Sequence, residues 1–303
     1  MNPKLKWALV LSGGGAKGFA HIGVLKAISA LGAPLPSLVA GTSMGAIVGG
    51  LYACGMEPDD LARFVLEEFD IRAYMDGFAF KIEGPLGRIV QTGQMLSNLA
   101  TRQGMDSGER ILALLERLTG GKTFEETRIP FRCNAVDLAS GREVVFSAGS
   151  VARAMRASMS FPAFFEPLRE GDSYLVDGGL ADNMPVSIAR KAGFKRILAV
   201  DVINFEPQTG RNFRNGPEII FRSLETALHI LGKEKPPSLI IRVEGTPSVF
   251  SFSEGASFIQ SGERALREQE RAIRGFFGSS LRALLIPRRR IRRPPPGNDA
   301  ERG

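Results

Sequence analysis

The sequence predicts an α/β layered fold built on a mainly parallel sheet. Three observations carry this. Short apolar runs alternate with amphipathic stretches at helical spacing along most of the chain, the pattern of strands flanked by helices. The first two apolar runs, Lys6–Leu11 and Leu38–Ala40, each lead into a glycine-containing turn and then a helix, which makes them parallel neighbours joined by a crossover helix. The apolar fraction of 44% is that of a globular protein with a substantial core.

In chain order, Lys6–Leu11 reads as a buried strand, followed by Ser12-Gly13-Gly14-Gly15-Ala16-Lys17-Gly18. Ala20, Val24, Leu25, Ile28 and Leu31 recur at helical spacing up to Gly32. Pro34 and Pro36 mark a loop, and Leu38–Ala40 is the second strand, with a helix from Ala46. From Met56 to Pro130 the pattern changes to a mostly helical insertion. It holds a helix begun by Pro58-Asp59-Asp60, an irregular stretch from Tyr74 to Gln91, a helix at Gln94–Leu99, and another whose one face carries Ile111, Leu114, Leu115 and Leu118. Phe131–Asp137 and Glu143–Phe146 predict a β-hairpin turning at Ser140-Gly141. A short helix over Val151–Met159 stops at Phe161-Pro162, and a strand at Ser173–Val176 leads into Asp177-Gly178-Gly179. Pro185–Ala192 is a helix with Pro in its first turn. Arg196–Val202 is a buried strand, Ile219–Leu231 a helix, Leu239–Val243 a strand, and Ala256–Phe277 one long amphipathic helix.

The formal charge is +7, but the stretch from Arg282 onward holds seven Arg against Asp299 and Glu301, so the basicity belongs to a Pro- and Arg-rich tail of disordered character. No nucleic-acid module is recognisable, and nucleic acid is not an expected partner. Cys54 and Cys133 stand in apolar surroundings and read as buried, reduced thiols of a cytoplasmic protein. The apolar run behind Lys4 and Lys6 is too short for a signal peptide, and no run is long enough to span a bilayer.

Three motifs carry chemistry. Gly41-Thr42-Ser43-Met44-Gly45 reads G-x-S-x-G between a strand and a helix. Such a turn holds a Ser with its hydroxyl exposed on strained backbone, and Ser43 is the candidate nucleophile. Gly13, Gly15 and Gly18 fit G-x-G-x-x-G, but a dinucleotide site needs an acidic residue about twenty positions on, and no Asp or Glu precedes Glu57. The Gly-Lys-Ser/Thr of a phosphate-binding Walker loop is missing too. Main-chain amides of Gly13, Gly14 and Gly15 at a helix start can instead stabilise an oxyanion. A Ser nucleophile needs a base. The order Ser43, Asp177, His229 is that of an α/β-hydrolase triad. Against it, the Ser turn follows the second strand and His229 lies within a helical pattern; His21 reads as structural. Alternatively, Asp177, delivered by a strand into a glycine turn, takes the Ser43 proton directly.

Together, Gly13-Gly14-Gly15-Ala16-Lys17-Gly18, Gly41-Thr42-Ser43-Met44-Gly45 and Asp177-Gly178-Gly179 resemble the bacterial patatin-like phospholipases, a family of lipid acyl hydrolases. Ala20–Leu25, Arg156-Ala157-Ser158 to Pro162, and Gly179–Pro185 add to the likeness, which covers Trp7 to Val202. The resemblance implies a three-layer α/β/α fold and a Ser43–Asp177 dyad with the Gly13 loop as oxyanion hole. It implies no metal, no cofactor and no catalytic His. It predicts a catalytic domain over 5–280, with the insertion at about 56–130 and the basic tail at 286–303. The family more often has Arg where this chain has Lys17, a change that matters if the side chain grips a phosphate by a planar fork. The expected substrate is an acyl ester of a lipid, with Phe78, Phe80 and Ile82 either bordering the acyl site or filling a local core. Arg288, Arg289, Arg290, Arg292 and Arg293 are candidates for peripheral contact with an anionic membrane. The competing reading is a membrane-associated regulator with a vestigial site.

Overall fold

A computed structural model describes residues 5–74, 104–203, 219, 222–223, 226–227, 236–244 and 251–278. The Tyr74–Gln91 stretch beyond Tyr74, the Gln94–Leu99 helix, most of Ile219–Leu231, Phe78, Phe80, Ile82, His229 and the basic tail lie outside the described residues.

β1 (Ala8–Leu11) leads through a 3₁₀ turn (Gly15–Phe19) into α1 (Ala20–Ala30), and β2 (Leu38–Gly41) leads into α2 (Met44–Cys54). α3 (Pro58–Arg63), β3 (Gly104–Asp106) and α4 (Glu109–Thr119) follow. The hairpin is β4 (Phe131–Asp137) and β5 (Arg142–Phe146), turning through Gly141 at φ 67°. Then come α5 (Val151–Ser158), β6 (Ala163–Phe165), β7 (Leu168–Glu170) and β8 (Ser173–Asp177). α6 (Val186–Lys191), β9 (Ile197–Asp201), β10 (Leu239–Arg242), α7 (Gly255–Glu268) and α8 (Glu270–Phe277) complete the order.

The mainly parallel sheet expected from the sequence is present, with five of its eight strands parallel. β10, β9, β1, β2 and β4 lie side by side, all parallel. Beyond them β5 and β8 pair antiparallel with β4, and β7 with β8, so the sheet is mixed. β3 and β6 form a separate parallel pair. These three-residue strands are too short to leave a periodic signal.

Alternation along the strands builds the layers. Leu9, Leu11, Val39, Phe131, Leu198 and Val200 face one side, where residues of α1, α2, α4, α5, α7 and α8 bury against them. Ala8, Val10, Leu38, Ala40, Ile197 and Ala199 face the other and meet Val186, Ile188 and Ala189 of α6. The predicted long helix is two, parted at Gln269. Its buried stripe runs Phe258, Ile259, Ala265, Leu266, then Ile273 and Phe277. The turn between carries Gln269 and Glu270, so no apolar residue continues the stripe there. α8 ends beneath Trp7, whose ring meets Phe277 edge-on at 5.0 Å, a contact worth about 1 kcal/mol beyond its buried area.

Candidate active site

β4 pairs with three strands, and its register explains the site. Cys133 pairs with Gly41 of β2 and with Phe146 of β5. Ala135 pairs with Asp177 of β8 and with Val144 of β5. A strand has two edges, so β5 occupies one, and β2 and β8 share the other. Being parallel and antiparallel to β4 respectively, β2 and β8 run toward each other along that edge. Their carboxyl ends stop on either side of Asn134, and Ser43 and Asp177 are delivered into the same gap.

Ser43 has φ 53° and ψ −121°, the one positive φ among described residues other than glycine. A residue held in such a conformation costs about 1–3 kcal/mol, which its surroundings must offset. They do so at both peptide groups: the Ser43 amide donates to Ser158 Oγ at 2.9 Å, and its carbonyl accepts from Ala46 and Ile47 at 2.9 and 3.1 Å. The turn also needs room. A Cβ on Gly45 would overlap the Leu11 and Ser12 carbonyls, and one on Gly41 would overlap the Gly45 backbone.

Asp177 is 3% exposed. Its amide donates to the Ser160 carbonyl at 3.0 Å, and its Oδ1 accepts from the Gly179 amide at 2.7 Å. Burial pushes the carboxyl up to about 6, against the opposing hydrogen bonds from the Gly179 amide and the Ser43 side chain. The Ser43 hydroxyl thus faces a carboxylate that is ionised at neutral pH yet more basic than an exposed one.

The glycine loop is anchored from Ser12. Its carbonyl accepts from His21 Nε2 at 2.8 Å, its Oγ accepts from the Val202 amide at 3.1 Å, and its amide donates to Val200 at 3.1 Å. Of the three amides expected to face an oxyanion, that of Gly13 is already used: it donates to the Asn183 carbonyl at 2.9 Å. Among the described residues, the amides of Gly14 and Gly15 have no partner. Gly15 takes φ 53°, which turns the chain into the 3₁₀ segment. Lys17 sits in that segment, its amide donating to the Gly14 carbonyl at 3.2 Å. Gly18 lies beneath the Met44 side chain. His21 is fully buried, and burial pulls its imidazole down to about 4. It is neutral and committed to Ser12.

Three further residues shape this gap. Asn134, Ser158 and Asn183 all touch the two turns or the loop, and none was singled out for a role from the sequence. The Asn183 Oδ1 lies against Gly13 and Gly179. Asn134 gave little signal, because it alternates with Cys133 and Ala135, on the face that also carries Arg132, in a strand that ends on Asp137.

A family model described as patatin-like phospholipase matches residues 9–190. Lysophospholipase NTE1 of Saccharomyces cerevisiae is 33% identical over 217 residues, covering 70% of this chain and 12% of that protein. Lysophospholipase nte1 of Emericella nidulans is 33% identical over 205 residues, covering 68% of this chain and again 12% of that protein. The chain therefore spans a small part of the length of the curated relatives it matches. The crystal structure of VipD from Legionella pneumophila matches with a TM-score of 0.50 at 18% identity, over 89% of this chain and 67% of that one, a likeness of fold. The matched segment runs from β1 into α6 and contains the glycine loop, the Ser43 turn and the Asp177 turn, and the chain belongs to the patatin-like phospholipase family.

Proposed function

We propose that the protein is a serine lipid acyl hydrolase of phospholipase A, lysophospholipase or esterase type, working through Ser43 and Asp177. The observation that carries this reading is the meeting of the Ser43 and Asp177 turns on one edge of β4. Ser43 Oγ attacks the ester carbonyl carbon while its proton passes to the Asp177 carboxylate. The developing oxyanion accepts hydrogen bonds from the Gly14 and Gly15 amides. Each such donor is worth about 10²–10³ in rate. Collapse expels the alcohol, which takes the proton from Asp177, and leaves the acyl group on Ser43. Water then attacks the acyl carbon and gives its proton to Asp177. The fatty acid leaves and Ser43 regains its proton. A carboxyl titrating at about 6 suits both halves of this cycle, because a base works best with a pKa near the operating pH.

The relatives named lysophospholipases extend the proposal to single-chain phospholipids. The test is hydrolysis of p-nitrophenyl esters and of lysophospholipid by wild type, Ser43→Ala and Asp177→Asn, together with labelling by a fluorophosphonate. Only an activated Ser43 reacts with the probe. Wild-type turnover in the Ser43→Ala protein would overturn the reading, and an unlabelled, inactive wild type would favour a vestigial site.

We also propose a cytoplasmic protein held peripherally at an anionic membrane by Arg288, Arg289, Arg290, Arg292 and Arg293. In the described residues no helix is long and apolar enough to cross a membrane, and basic residues near an anionic surface add about 1 kcal/mol each. Sedimentation with phosphatidylglycerol vesicles should lose the protein when residues 286–303 are deleted. Undiminished binding would remove the idea.

A further inference from the structure

We propose that Asn134 is a positioning residue that sets the separation between Ser43 and Asp177, with Thr42 as its arm on the nucleophile side. The inference rests on the reading of Ser43 and Asp177 given above and concerns how they are held.

β2 and β8 meet end to end on β4, so no backbone ladder joins them to each other. Among the described residues, the Asn134 side chain reaches both strand ends from the gap between them. Asn134 is fully buried and stands on β4 between the positions where the two strands stop. The Thr42 hydroxyl, one residue before Ser43, donates to its Oδ1 at 2.7 Å. Its Nδ2 donates to the Gly178 carbonyl, one residue after Asp177, at 3.3 Å. The same Nδ2 reaches the Asp182 carbonyl at 3.0 Å and Glu143 Oε1 at 3.0 Å. Thr42 Oγ1 also lies 3.0 Å from the Asp182 carbonyl. One amide therefore contacts the residue preceding the nucleophile, the residue following the carboxylate, and the segment beyond the Asp turn. Gly178 is packed so tightly on it that a Cβ there would overlap both the Asn134 carbonyl and its Oδ1.

The residue type follows from the geometry. The site needs an acceptor toward Thr42 and donors toward two carbonyls, at one position and with no charge. Asn meets that demand. A carboxylate would set a second acceptor against the Gly178 and Asp182 carbonyls. An apolar residue would remove the acceptor of the Thr42 hydroxyl and the tie to both carbonyls, which would keep the Ala181 and Asp182 amides and the Thr42 hydroxyl as donors but lose their link to β4. Asn134 bonds to the chain neighbours of Ser43 and Asp177, Thr42 and Gly178. It acts by placement, where a misplacement of about 1 Å can lower the rate about 10²-fold.

The experiment compares wild type, Asn134→Ala, Thr42→Val and Thr42→Ser by ester hydrolysis and by fluorophosphonate labelling. Both the labelling rate constant and the fraction labelled are recorded. A merely structural role changes the fraction of folded, labelled protein and leaves the rate constant of that fraction intact. Placement changes the rate constant. Asn134→Ala should lower kcat and the labelling rate constant together, by about 10–100-fold, with KM changed by no more than about threefold. Thr42→Val should lower the rate constant by about 3–10-fold and Thr42→Ser, which keeps the hydroxyl, should restore it to within about twofold of wild type. If the Ala variant does not fold, the Thr42 pair decides alone: a Ser variant no better than the Val variant overturns the proposal. So does a folded Asn134→Ala protein labelled at the wild-type rate. Labelling that persists in Ser43→Ala is a separate result, because it overturns the assignment of the nucleophile itself.

Discussion

The two turns that meet on β4 are stabilised in opposite ways. The Ser43 turn is strained in its backbone and half-buried, and it relies on Gly45 to clear the end of β1 and on Gly41 to clear the turn's own backbone. The Asp177 turn has ordinary backbone angles and carries its burden in electrostatics, a carboxylate removed from water with one amide and one hydroxyl beside it. In the dyad proposed above, strain falls on the nucleophile and desolvation on the base. A substitution at either turn should therefore fail in its own way.

The largest expected effect is on rate at the Asp177 turn. Asp177→Asn should lower kcat by about 10²–10⁴-fold, the range of a lost general base. The same change should raise stability. A buried carboxyl whose pKa is lifted from 3.8 to about 6 favours the folded state when protonated and opposes it once ionised. The stability it withholds is absent below about pH 4 and complete above about pH 7, and amounts to about 2–3 kcal/mol. Thermal melts of the Asn variant should thus exceed wild type at pH 8 and coincide with it at pH 4. An Asn variant no more stable than wild type at pH 8 would break the contrast between the turns.

Next in size is the pH profile: kcat/KM should fall about tenfold per unit below about pH 6 as Asp177 takes up its proton. A profile flat down to pH 5 would remove Asp177 as the base. At the Ser43 turn the expected effect is on folding. Gly45→Ala sets a methyl against two backbone carbonyls, which cannot move aside, and should cost about 3 kcal/mol. Gly179→Ala meets the Asn183 and Asp177 side chains at 2.9 and 3.1 Å, which can rotate, and should cost about 1 kcal/mol. Equal losses in denaturant melts would mean that the turns are equally rigid. The smallest effect belongs to His229→Ala, which should leave ester hydrolysis unchanged; collapse of activity in a folded variant would restore the triad.

The parts of this site that were legible in the sequence are local. The Ser43 turn could be read because its strand, glycines and helix are contiguous, and the β4–β5 hairpin because its turn residue lies between its strands. The meeting of β2 and β8 was not legible. It depends on β4 being shared at different positions by strands far apart in the chain, and no local pattern encodes a shared edge. For the same reason Asn134 had no visible role, and the antiparallel pairings of β8 with β4 and of β7 with β8 were not predicted. The Gly13 amide was expected to face an oxyanion because the loop leads into a helix start. It is taken by Asn183, from a segment that sequence order does not bring near. The break at Gln269 was written in the sequence, in a polar pair where the apolar stripe should continue.

The end-to-end arrangement on β4 also decides where the chain can change length. β2 and β4 are parallel neighbours, so the connection between them can lengthen or shorten while Cys133 keeps its place. A single residue added between Cys133 and Ala135 has no such latitude. It would turn the following side chains to the other face of the sheet and push the carboxylate out of reach of the hydroxyl. The spacing of this site is counted in residues along one strand.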